Sequence, residues 1–123
     1  MEFRNLGRSG LIVSAVGLGC NNFGQRLDYA ASQAVIHKAL DAGITLFDTA
    51  DVYGEQKSEE FCAKALGARR KDIVLATKFA MVRGDGPYNK GASRRYIMRA
   101  CEASLKRLAP DAIDLYQHHR PDP

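Results

Sequence analysis

Short apolar runs alternate along this chain with stretches whose apolar residues recur at three- and four-residue spacing. Ala15 to Gly19, Ile44 to Phe47, Ile73 to Lys78 and Ile113 to Gln117 read as four strands. Ahead of them, Phe3 to Leu6 and Leu11 to Val13 flank Gly7-Arg8-Ser9-Gly10, a hairpin signal. Three helical patterns lie between the strands. Asp28 caps the first, which runs to about Ala42 with Val35, Ile36, Ala39 and Leu40 on its inner stripe; Gly43 stands where a left-handed cap is expected. Ser58, followed by Glu59 and Glu60 in the first turn, opens the second; Phe61, Cys62, Ala65 and Leu66 form its apolar face and Gly67 ends it. Ser93 caps the third, which runs to about Leu108 with Ile97, Ala100, Cys101, Ser104, Leu105 and Leu108 inward, and Pro110 stops it. Cys20 to Gln25 and the glycine-rich Met81 to Gly91 read as loops, the second long enough to be a functional rim segment.

Strand-helix alternation implies an α/β fold with a parallel sheet and right-handed crossovers. A doubly wound nucleotide fold calls for Gly-x-Gly-x-x-Gly, but Gly17-Leu18-Gly19 is followed by Cys20, Asn21 and Asn22. A barrel of the (β/α)8 TIM type is therefore favoured. Leu46-Phe47 leads into Asp48, with Tyr53 shortly after; the third apolar run leads into Lys78 and the fourth into His118 and His119. Polar groups at the C-terminal ends of barrel strands converge on one rim. A carboxylate, a phenol, an amine and an imidazole gathered there suggest proton delivery to a carbonyl.

Composition narrows the class without adding to the chemistry. The 123 residues allow one domain at most, spanning 1–123, and 46% hydrophobic with 26% charged residues describes an ordinary globular protein. The net charge of +4 suits an anionic ligand such as a nucleotide phosphate and does not point to nucleic acid. Cys20, Cys62 and Cys101 are few, far apart and without a Cys-x-x-Cys, so neither a disulfide framework nor a metal site is expected, and a reducing cytoplasm fits. No apolar stretch reaches membrane-spanning length, and the polar N-terminus does not read as a signal peptide.

The segments Leu46 to Gly54 (LFDTADVYG) with Ser58-Glu59-Glu60, Ala76-Thr77-Lys78-Phe79, and Ile113 to Asp122 (IDLYQHHRPD) together resemble the signature of the aldo-keto reductases. Arg4 to Leu11 and Ala100 to Leu108 resemble bacterial members in particular, so the likeness runs from end to end. The resemblance implies a (β/α)8 barrel closed at its base by the hairpin. It also implies NADPH-dependent reduction of aldehydes or ketones to alcohols. By motif, the family's catalytic four fall on Asp48, Tyr53, Lys78 and His119. The Gly19-Cys20-Asn21 segment, with Asp48, corresponds to the rim that touches the nicotinamide ribose. Phe23, Phe79 and Arg120, with Tyr53 and His119, are candidates for the lining of the substrate pocket.

The roles follow from chemistry. Hydride arriving at a carbonyl carbon leaves negative charge on oxygen, and Tyr53 is placed to donate the proton. The Lys78 ammonium is expected to stabilise the phenolate left behind, Asp48 to hold that ammonium, and His119 to orient the carbonyl. Adjacent strand residues face opposite ways, so only one of His118 and His119 faces the site; the motif selects His119 and leaves His118 as a packed histidine. Arg94, Arg95, Arg99, Lys106 and Arg107 read as a solvated helix face, Arg69-Arg70-Lys71 as a solvated loop and His37 as surface.

A barrel of this type needs ~250 residues. The hairpin, about four strands and three helices are accounted for, which reads as the N-terminal half of the fold with most of the NADPH pocket lying beyond it. Val16, Leu18, Leu46, Val74, Ala76, Ile113 and Leu115 should be buried on both sheet faces, so half of that surface is expected to face water here. Self-association or a complementing chain covering the open sheet is the expected remedy. The alternative function is a catalytically incompetent half-barrel serving as a binding or assembly module, and channel-associated subunits resembling this family supply an analogy. Neither the substrate nor the choice between NADPH and NADH can be read from the residues.

Overall fold

A computed structural model describes residues 1–81, 84–108 and 112–121. Strands β1 (Phe3–Asn5) and β2 (Ile12–Ser14) pair antiparallel as the expected hairpin, with Phe3 opposite Ser14. The remaining strands, β3 (Gly17–Gly19), β4 (Leu46–Asp48), β5 (Val74–Phe79) and β6 (Leu115–His118), form a parallel sheet in the order β3-β4-β5-β6. One row of the sheet runs Gly19, Asp48, Ala76, Leu115, with Lys78 beside Gln117 two positions further along. Each strand is shorter than, or shifted from, the apolar run that predicted it. The Pro110 helix stop, the Asp122 end of the last motif and part of the loop after β5 lie outside the described residues.

Helices α1 (Tyr29–Asp41), α2 (Lys57–Leu66) and α3 (Arg94–Leu108) pack in succession, α1 on α2 and α2 on α3. Asp28 caps α1 as its sequence requires, its carboxylate accepting from Ala31 N at 2.8 Å. At the other end Gly43 takes a φ of +81°, with Gly43 N donating to Leu40 O and Ile44 N to Ala39 O, both at 3.0 Å. This closure satisfies two orphan carbonyls and turns the chain straight into β4. Phe47 and Leu75, fully buried, point at the helices and join Ile36, Leu40, Cys62, Leu66 and Leu108 in the main core.

Several expectations need correcting. Helix α2 begins at Lys57, preceded by Gln56 in the left-handed region, and Ser58 is not its cap. Ser58 Oγ instead donates to Cys20 O at 2.8 Å and shares a hydrogen bond with Thr49 Oγ1, because the side chain is sealed inside. Val35 leaves the inner stripe of α1 and is exposed, its place taken by Ser32; Tyr96 joins the buried face of α3. Of the strand residues expected to be bared, Ala76 is buried and Leu46, Val74 and Leu115, on the sheet face away from the helices, are half-buried; Leu18 and Ile113 pack against the helix-side core, and Val16, ahead of β3, is 54% exposed.

Two arginines assigned to solvent are structural. Arg107 on α3 pairs with Glu59 of α2, whose carboxylate is fully buried and also accepts from Thr77 Oγ1 at 2.6 Å. Arg70 follows α2 in a 3-10 segment and ties down the start of β6: it donates to Ala112 O at 2.9 Å and to Asp114 Oδ2 at 2.7 Å. The same Asp114 oxygen accepts from Leu75 N at 2.8 Å, in place of a ladder bond between β5 and β6. His37 is exposed as expected, although its Nε2 lies 2.9 Å from Ala65 O.

Candidate active site

Strands β4, β5 and β6 each carry one polar side chain to the same end and the same face of the sheet. Asp48 closes β4, Lys78 lies near the end of β5, and His119 follows β6, its backbone N donating to Phe79 O at 3.1 Å. Tyr53 arrives from the turn after β4, fixed by its own N donating to Ala50 O at 3.2 Å. That turn needs glycine at position 54: φ is +57°, and a Cβ there would overlap the carbonyl oxygen of Phe23.

The ammonium of Lys78 is the hub. It donates to the Asp48 carboxylate at 2.8 Å, to Thr49 O at 2.8 Å and to the Tyr53 hydroxyl at 3.3 Å, with only 12% of its side chain exposed. Buried ammonium groups persist only with such partners. The Tyr53 ring lies under the same ammonium and meets the His119 ring edge to face, with centroids 5.6 Å apart. Burial first, and then the Lys78 charge, lower the His119 pKa from its ordinary value. Its Nδ1 is buried and has no hydrogen-bond partner among the described residues.

His118 takes the opposite face, exposed and stacked on Phe79 with ring centroids 5.1 Å apart. The structure therefore brings His119, not His118, beside Tyr53. Phe79 itself packs against Tyr116 and the α3 residues Tyr96 and Ala100, and Phe23 is sunk in the main core. Both are corrections to a pocket-lining assignment: Phe79 neighbours Lys78 in a strand and must point the other way, while Phe23 is drawn in by the tight turn against Gly54. Arg120 is exposed next to His119. Gly19 and Asn21 stay exposed at the end of β3, whereas the Cys20 thiol is buried. A hydrogen bond with Cys62, and then burial, raise that thiol well above its ordinary pKa, which disfavours a reactive thiolate.

The neighbours that hold this cluster were not legible as such. Thr49, Ser58 and the Cys20 carbonyl form a buried hydrogen-bonded chain directly behind Lys78 and Asp48, and Asp51 and Glu59 lie buried beyond it. Only the polar residues inside the motif around Tyr53 hinted at them. Among the described residues, no group of three or more His, Cys, Asp or Glu side chains is placed to hold a metal ion. No helix among them is long and apolar enough to cross a membrane.

A half-open parallel sheet with one helix layer and polar side chains gathered at its C-terminal edge is the architecture of part of a TIM-type barrel. The chain belongs to the aldo/keto reductase family, whose model matches residues 15–123. It is 43% identical over 126 aligned residues to a probable voltage-gated potassium channel subunit beta of Oryza sativa subsp. japonica, covering 99% of this chain and 38% of that protein. It is 42% identical over 121 residues to the uncharacterized oxidoreductase YqkF of Bacillus subtilis (strain 168), covering 97% and 39%. Among solved structures, the holo form of aldo-keto reductase AKR11C1 from Bacillus halodurans superposes with a TM-score of 0.84 at 40% identity, over 96% of this chain and 40% of that one. The chain thus spans under two fifths of the length of these two curated relatives.

Proposed function

We propose that Asp48, Tyr53, Lys78 and His119 are the proton-delivery group of an NADPH-dependent reductase of aldehydes or ketones, and that residues 1–123 supply the N-terminal half of its barrel. The observation that carries this reading is the Lys78 ammonium held 3.3 Å from the Tyr53 hydroxyl while Asp48 and Thr49 O fix it at 2.8 Å. Reduction puts negative charge on the substrate oxygen, and Tyr53 neutralises it by giving up its phenolic proton. The adjacent ammonium stabilises the phenolate as it forms, in a site dry enough for the attraction to count. Such acid catalysis is typically worth ~10² to 10⁴ in rate. His119, kept neutral by burial and by Lys78, offers a ring N–H to orient the carbonyl oxygen.

A bound nicotinamide supplies the hydride. The rim fits part of such a cofactor: Gly19 lies beside Asp48 in the ladder without a side chain, and Asp48 keeps 41% of its own exposed, so a ribose hydroxyl has an open approach to the carboxylate. Asn21 and Arg120, both exposed, are the further candidates on the cofactor and substrate sides. Three free cysteines and a small-molecule substrate fit a cytoplasmic setting.

In a reconstituted full-length barrel, Tyr53→Phe is expected to abolish NADPH-dependent aldehyde reduction while leaving the circular dichroism spectrum unchanged. Turnover that persists overturns the donor assignment. A second reading, a non-catalytic binding or assembly module, draws on the open edges of the sheet among the described residues and on the likeness to a probable potassium channel subunit beta. NADPH fluorescence that stays unchanged on titration in that full-length barrel favours this second reading.

A further inference from the structure

We propose that Asp51 and Glu59 form a proton-linked latch beneath the turn that carries Tyr53, in which the one guanidinium beside the two buried acids is committed to Glu59 and the fold is tighter while a proton remains on Asp51. The proposal stands apart from the reductase reading. Glu59 is fully buried and fully satisfied: Thr77 donates to one oxygen and Arg107 to the other. Asp51, only 3% exposed, has no such partner. Its backbone N donates to Lys78 O at 3.2 Å and it accepts from the Val52 N–H, but Oδ1 is buried with no partner among the described residues.

A buried, half-satisfied carboxylate beside a second carboxylate is costly when charged and tolerable when neutral. Among the described residues, the groups facing Asp51 come from each packed element. Helix α2 presents Glu59; α3 presents Tyr96, Arg99 and Arg107; β6 contributes Tyr116. Arg107 is committed to Glu59, and Arg99 donates to Asn89 Oδ1 at 2.8 Å. A cavity of about 220 Å³, rimmed by the exposed Gln56, Gly84 and Arg99, gives the acid a route to water.

Burial, and then Glu59, raise Asp51 from 3.8 to about 7 against the pull of Arg107. An acid with a raised native pKa stabilises the fold fully below its unfolded value, and that contribution is lost as pH rises to the native value. The stability of the chain is therefore expected to fall between roughly pH 4 and pH 7 from this group, in the direction opposite to an ordinary ion-paired carboxylate.

Thermal unfolding of wild type and Asp51→Asn at pH 5 and pH 8 tests this. The variant should melt several degrees above wild type at pH 8, and by a clearly smaller margin at pH 5. The same increment at both pH values overturns the proposal. Carbon-13 NMR of the wild-type Asp51 carboxyl is an independent reading that survives a variant that does not fold. A midpoint near neutrality is expected, and titration complete below pH 5 overturns the latch.

Discussion

The uncommitted group at the candidate site is the imidazole of His119. Burial and the Lys78 charge both disfavour its protonated form, so it should titrate below the ordinary value of 6.5. A histidine with a lowered native pKa costs stability as pH falls from the unfolded value to the native one. Proton-detected NMR should find this ring neutral at pH 6.5, and His119→Gln should lessen the loss of stability on acidification. A ring that is mostly protonated at pH 6.5 would contradict this. Asp48, Tyr53, Lys78 and His119 were legible because each sits in a short motif next to an apolar run. Arg70 and Arg107 were not, since their carboxylate partners lie 44 and 48 positions away. Two charges that look solvated locally are found paired only when the strands and helices between them have folded. Phe79 was misassigned by proximity: being next to Lys78 in a strand places it on the wrong face.

Among the elements, the turn after β4 is the most constrained. It runs through consecutive left-handed positions at Gly54, Glu55 and Gln56, with φ values of 57°, 53° and 79°. Gly54→Ala should cost more than ~1 kcal/mol, because the methyl meets the Phe23 carbonyl where nothing can move aside. Urea unfolding would measure it, and a neutral effect would mean that the turn is loose. Helix α1 was legible to within a residue or so at either end because both signals, Asp28 and Gly43, are local. The start of α2 was not: Ser58 reads as a cap in isolation, and only the arrival of Cys20 and Thr49 explains why its hydroxyl turns inward.

For the molecule as a whole, β3 and β6 are the end strands of the described parallel sheet, and each has an unpaired edge. Open edges flanking half-buried Leu46, Val74 and Leu115 invite pairing with another chain. Sedimentation velocity of the purified chain should therefore show a mass that rises with concentration. A strict monomer at high concentration would mean that the inner face is sufficiently wetted as it stands. The fold class was legible from strand-helix alternation, whereas the degree of exposure on that face was not, since it depends on neighbours that alternation alone does not supply. One small strap bears on all of this. Arg70 and Asp114 pin the first residues of β6 against β5, and in a strand a slip of one position exchanges the two faces. A slip of that kind would exchange the two adjacent imidazoles and turn the stacked ring, instead of His119, toward the phenol. The identity of the histidine beside Tyr53 is thus held in part at the opposite end of the strand, by a guanidinium on the 3-10 segment after α2.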